Sequence, residues 1–192
     1  MSDAAAASVR LFFALWPQEE VRKQLARLAR RMADQCGGRC VRPENLHLTL
    51  AFIGQVDSSI VPVLRQAGSA IHHTSLDLLL DRLHYWKKGS IISAGISQPC
   101  CELMVLVQDL QDQFFAAGIR YNTVKFVPHV TLVRNAKQEP EQEHFPEMIP
   151  PVAWTASRWS LLQSRLTPHG PVYQSLADWV LASQDSDEHH RA

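Results

Sequence analysis

His47-Leu48-Thr49-Leu50 and His129-Val130-Thr131-Leu132 are the stretches on which the fold reading turns. Each lies in an apolar, β-branched or aromatic-rich run that predicts a strand. Side chains alternate between the two faces of a strand, so residues two apart share a face. His47 and Thr49 therefore project together, while Leu46, Leu48, Leu50 and Phe52 are expected to project the other way into a core. In the second stretch His129 and Thr131 share a face opposite Val130 and Leu132. One such pair says little, because Thr is an ordinary strand residue. Two copies predict one site built from two imidazoles and two hydroxyls.

His129 lies 82 positions after His47, and the same offset aligns more than the motifs. It lays Pro17 on Pro99, and Val21, Leu25, Leu28 and Met32 on Leu103, Val107, Leu110 and Phe114. Strand, helix and His-x-Thr strand thus occur twice in one order, which is the mark of an internal repeat. The expected fold is α+β: two similar sheet-and-helix lobes related by a pseudo-twofold axis, with a central groove between the motif strands. One bilobal domain is expected over residues 9–181, with loose or disordered tails at 1–8 and 183–192.

The rest of the chain fills in around this frame. Leu11 to Trp16 predicts a buried strand, and Pro17 with Glu19-Glu20 opens a helix ending at Gly37-Gly38. The basic residues of that helix read as a solvated face. The first motif strand is expected to stop at Gly54. A helix is predicted over 57–73, with Pro62 in its first turns. Strands are predicted over 76–86 and 91–96 around the turn Lys87-Lys88-Gly89-Ser90, and a helix follows Pro99. The second motif strand is expected from Lys125 to Val133. Residues 136–151, with Pro140, Pro146, Pro150 and Pro151, read as an irregular surface connection. Strands over 159–166 and 172–181 flank a turn at 167–171.

Composition narrows the class. The chain has 192 residues, 46% hydrophobic and 20% charged, with Lys+Arg and Asp+Glu at 19 each. Zero net charge argues against the broad electrostatic footprint of a duplex-DNA binder, though not against a local basic groove. No apolar run approaches the ~20 residues of a membrane span, and the start lacks a signal peptide's basic region. Cys36, Cys40, Cys100 and Cys101 read as reduced thiols of a cytoplasmic protein. Their spacing does not suit zinc.

Histidine titrates near neutrality, so one imidazole can be held neutral while another is protonated. A neutral one takes a proton from water, and a protonated one gives a proton to a departing alkoxide. Together they suit in-line phosphodiester hydrolysis with no metal and no cofactor. Threonine hydroxyls beside them can donate to the non-bridging oxygens. A metal site would want a third protein ligand, and no nearby carboxylate or Cys stands out. His72, His73, His84, His144, His169, His189 and His190 lack a paired Thr and read as surface or turn residues. Phe12, Trp86 and Tyr173 read as core packing, with base stacking as the alternative.

With these residues the sequence resembles the two-histidine (2H) phosphoesterases, and within them the RNA 2′,3′-cyclic phosphodiesterases, first described as bacterial 2′-5′ RNA ligases. The resemblance spans most of residues 9–181. It rests on Arg10-Leu11-Phe12-Phe13-Ala14-Leu15, on Asn45 to Gly54, on Phe126 to Arg134, and on Gln163-Ser164-Arg165-Leu166 with Gly170-Pro171-Val172-Tyr173. It implies a bilobal fold and hydrolysis of RNA or oligonucleotide 2′,3′-cyclic phosphate ends to 2′-phosphomonoesters. It implies His47 as proton donor to the leaving 3′ oxygen and His129 as proton acceptor from water. Thr49 and Thr131 would bind phosphate, and weak reverse 2′-5′ ligation would follow. Arg134 matches a basic position after the second motif, although strand parity turns it away from His129 unless a bulge re-aims it. The expected partner is RNA, with no membrane and no obligate protein partner for a monomer. The alternatives are another 2H cyclic nucleotide or oligonucleotide 3′-end phosphodiesterase, or a non-catalytic RNA-end binding protein.

Overall fold

The computed structural model describes residues 7–121, 125–140, 147–168 and 170–183. The expectations for the two tails therefore fall largely outside the described residues, as do His144, His169, His189 and His190.

The first repeat begins with β1 (Ser8–Leu15), a strand whose second half is wholly buried. Gln18 precedes α1 (Glu19–Cys36), whose first turn carries Glu19 and Glu20, favourable against the helix dipole. Its Val21, Leu25, Leu28 and Met32 are buried at helical spacing. The short β2 (Arg39–Cys40) and a 3-10 turn (Pro43–Asn45) lead into β3 (Leu48–Asp57). A second 3-10 turn (Ser58–Ile60) enters α2 (Val61–Ser69), with Pro62 in its first turn where no backbone donor is lost. The second repeat runs through the hairpin β4 (Leu76–Trp86) and β5 (Ile91–Gly95), then α3 (Cys101–Ala116) and β6 (His129–Arg134). Strands β7 (Glu147–Ala156), β8 (Arg158–Thr167) and β9 (Gly170–Val180) complete the sheet.

All eight long strands join one antiparallel sheet in the order β7-β4-β5-β6-β3-β1-β8-β9, with β2 pairing β6. The order is symmetric about the β6–β3 seam: motif strands at the centre, then β5 and β1, then β4 and β8, then β7 and β9. The seam itself carries one registered pair, Leu48 with Val130. The helices straddle it. α1 lies against β6 and α3 against β3, so each repeat's helix covers the other repeat's motif strand. Phe13 of β1 packs on Phe114 of α3 at 5.4 Å, and one contiguous apolar core runs through both halves.

Three expectations need correction. β3 does not stop at Gly54; that glycine, at φ +89°, sits in a bulge where the register with β1 shifts, and the strand runs on to Asp57. The second motif strand begins at His129 rather than Lys125. Residues 147–156 are a strand, not an irregular connection. β7 pairs only with β4 and lies at the sheet edge, and Pro150 and Pro151 fall where its register with β4 breaks. An edge strand tolerates the missing donors there.

Candidate active site

The β1 register skips Leu50: Phe13 pairs with Ala51, and Ala14 with Thr49. The β5 register skips Leu132: Ile92 pairs with Val133, and Ser93 with Thr131. These are the same bulge, since 50 and 132 differ by the repeat offset of 82. In each strand two consecutive residues then face the core, Leu50-Ala51 and Leu132-Val133. The next residue returns to the histidine face. That residue is Phe52 in one repeat and Arg134 in the other. Phe52 is 39% exposed rather than core, which corrects the parity argument. The same re-phasing brings Arg134 into line with His129 and Thr131. β2 supports the second bulge: Val41 N–H donates to the Leu132 carbonyl at 2.8 Å, and Arg39 pairs with Arg134.

His47, Thr49, His129, Thr131 and Arg134 thus line one groove of about 960 Å3. The imidazoles are held alike. His47 Nδ1–H donates to the Asn45 carbonyl at 2.7 Å, and His129 Nδ1–H donates to the Val127 carbonyl at 2.7 Å. A carbonyl only accepts, so each Nδ1 carries its hydrogen and each Nε2 is left for chemistry. Asn45 is itself buried and anchored by donating to the Pro171 carbonyl at 2.9 Å. Arg10, Arg39 and Arg165 join Arg134 in the lining, and no carboxylate lines the groove among the described residues. A chain of zero net charge therefore concentrates four cations on one face.

The two histidines differ in their surroundings. Trp16 stacks parallel on His47 at 5.5 Å with 9° between the rings. Phe12 lies at 5.1 Å and Tyr173 edge-on at 5.3 Å. This enclosure pushes the His47 pKa down to about 4 by burial, and the charges of Arg134 and His129 add to the effect. Burial raises the Tyr173 phenol, opposed by Arg134 and Arg10. His129 meets one indole, Trp86, at 5.6 Å and 48°. Trp86 is fixed by donating from Nε1 to Ser93 Oγ at 2.9 Å and by stacking on His84 at 5.9 Å.

Phe12 is buried as expected, yet it also forms a wall of the site; Trp86 and Tyr173 are partly exposed walls rather than core. Trp16, Arg10, Arg39 and Arg165 were not singled out by sequence reasoning as site residues. The signal available for Trp16 was its place one residue past the strand that pairs β3. His84 is not a surface residue: burial lowers its pKa, with the His129 charge next. His73 bonds Asp109 of α3 at 2.7 Å, and His72 is exposed in a loop as expected. The four cysteines are separate thiols, and the described residues hold no cluster of three or more metal-binding side chains. Among them no helix is long and apolar enough to cross a membrane.

Comparison with known proteins supplies the family and the fold. A family model described as LigT-like phosphoesterase matches twice, over residues 15–92 and 96–173. The RNA 2′,3′-cyclic phosphodiesterase of Escherichia coli (strain K12) is 29% identical over 176 residues, spanning 90% of this chain and 96% of that protein. The protein of the same name from Thermotoga maritima is 28% identical, spanning 88% of this chain and 93% of that one. The crystal structure of E. coli LigT in apo form superposes with a TM-score of 0.80 at 28% identity, covering 93% of this chain and 100% of that chain. E. coli LigT complexed with 3′-AMP gives a TM-score of 0.81 at 28% identity, covering 91% and 99%.

Proposed function

The chain belongs to the LigT-like phosphoesterases, and on that premise we propose that it hydrolyses RNA 2′,3′-cyclic phosphate ends to 2′-phosphomonoesters without a metal. One observation carries the reading. Two imidazoles, each tautomer-locked through Nδ1 and each followed by a threonine on its own face, line one groove with four arginines. The relatives with the RNA 2′,3′-cyclic phosphodiesterase name match along almost their whole length.

In this reading the cyclic phosphate sits between the two Nε2 atoms. His129 takes a proton from water as its oxygen attacks phosphorus. The P–O3′ bond breaks on the opposite side, and His47 gives its proton to the departing 3′ oxygen. Thr49, Thr131 and Arg134 hold the non-bridging oxygens, where charge accumulates. The 2′ oxygen keeps the phosphate. With a 5′-hydroxyl in place of water, the same step yields a 2′-5′ linkage.

Empty, the groove disfavours a protonated His47. A phosphodiester anion offsets the charge of Arg134, so substrate arrival and protonation of His47 are coupled. The test is turnover of a 2′,3′-cyclic-ended oligonucleotide in EDTA with product-isomer analysis. The expected product carries a 2′-phosphate, and a 3′-phosphate product or dependence on added metal overturns the proposal.

A further inference from the structure

A second cavity, of about 590 Å3, opens off the groove at its His129 end. It shares Thr49, Phe52, Ile91 and His129 with the groove, while His47 and Thr131 are absent from its lining. Trp86, Tyr121 and Phe126 form its aromatic wall. Lys87, Lys88 and Lys125 stand at its edge with exposed side chains, and no carboxylate lines it among the described residues.

We propose that this recess seats the nucleoside whose 5′-hydroxyl attacks the cyclic phosphate in place of water. The inference rests on the functional reading above, in particular on His129 as the proton acceptor. In-line displacement separates the two oxygens by phosphorus: the attacking one on the His129 side, the departing 3′ oxygen with its ribose on the His47 side. A pocket that adjoins His129 and not His47 therefore faces the attacking group. A water needs only about 10–15 Å3 of such space, and this cavity is far larger. Its aromatic wall presents faces on which any base can stack. The three lysines meet the phosphates of a chain continuing from that nucleoside. The hydrogen bond from Trp86 to Ser93 holds part of the wall rigid before ligand arrives.

The step balances. The O5′–P bond forms and the P–O3′ bond breaks. The O5′ proton passes to His129 Nε2, and the His47 proton passes to O3′. The product is a 2′-5′ phosphodiester with a free 3′-hydroxyl, and no co-reactant is consumed.

The test supplies an RNA oligonucleotide ending in a 2′,3′-cyclic phosphate together with excess adenosine or the 5′-hydroxyl dinucleotide ApA. Joined and hydrolysed products are then measured in the same reaction. Joined product should saturate with acceptor, and at lower concentration for ApA than for adenosine. Phe126→Leu should lower the joined-to-hydrolysed ratio about tenfold with both acceptors. The pair Lys87→Ala and Lys88→Ala, on an exposed hairpin turn, should lower it for ApA alone and flatten its salt dependence. Parent hydrolysis with no joined product at any acceptor concentration overturns the proposal. An unchanged ratio in every variant does the same. A raised KM for hydrolysis, in proportion to the loss of joining, overturns it by placing the terminal nucleoside in the recess. If the parent fails to hydrolyse the cyclic end, the functional reading itself fails and takes this proposal with it.

Discussion

Seating an anion in the groove should pull a proton onto His47. Its pKa falls from 6.5 to about 4 in the empty site. That depression corresponds to about 3 kcal/mol against the imidazolium. At pH 7 roughly one molecule in a thousand then carries the proton that a donor must give. Sulfate is a suitable probe because its charge does not change near neutrality. Calorimetric titration at pH 7, in buffers of different ionisation enthalpy, reads protons taken up per sulfate bound. Uptake should approach one, and affinity should fall about tenfold per pH unit between the free and bound pKa values. His47→Gln should abolish the uptake, which separates His47 from His129. Zero uptake in the parent, or an NMR titration placing His47 at 6.5 or above in the empty protein, refutes the reasoning.

The same depressed pKa predicts acid sensitivity. Because the folded value lies below the unfolded one, the stabilisation is full above about 6.5 and is lost as pH falls towards 4, by up to about 3 kcal/mol in denaturant unfolding. His47→Gln should flatten that profile. His47→Ala and His129→Ala should each cut kcat for cyclic-phosphate hydrolysis about 10²- to 10⁴-fold with the circular dichroism spectrum unchanged. Arg134→Gln should lower kcat/KM about 10²-fold and raise the His47 pKa by removing a neighbouring cation, readable by NMR. Gly68→Ala places a Cβ well inside van der Waals contact with the Trp179 ring, which is stacked on Trp159 at 4.5 Å and bonded to Ser69. The overlap outweighs the ~1 kcal/mol gain in helix propensity. A calorimetric scan should therefore show Tm lowered by about 2–10 °C, and an unchanged or raised Tm refutes this.

The repeat, both motif strands and the two long helices were legible because burial writes itself as periodicity. Helix α3 begins at Cys101, the position the offset assigns from Glu19 in α1. Strand parity misplaces Phe52 and Arg134 for one reason. Period-two parity counts residues, whereas a bulge adds a residue without changing face. The trace was present in the adjacent apolar pairs Leu50-Ala51 and Leu132-Val133, which break the alternation at matching places. Strand β7 was hidden by Pro150 and Pro151, whose cost depends on having a neighbour on each side, a fact of topology rather than composition. The enclosure of His47 was hidden too. Phe12 and Trp16 come from β1 and its end, Tyr173 from β9 far along the chain, and only the order β3-β1-β8-β9 assembles them.

The crossing of the helices bears on whether the halves can exist apart. A repeat cut free at the linker would keep its own motif strand and lose the helix that roofs it. Leu48 and Leu50, or Val130 and Leu132, would then meet water on the side now covered by the opposite repeat. Two such fragments could recover a roof only by associating, each lending its helix to the other. Covalent linkage in one chain supplies that loan at high effective concentration. It also lets the twin strands diverge at a single matched position, aromatic in one and cationic in the other. A symmetric dimer of identical fragments could not do so, and a directional reaction requires it.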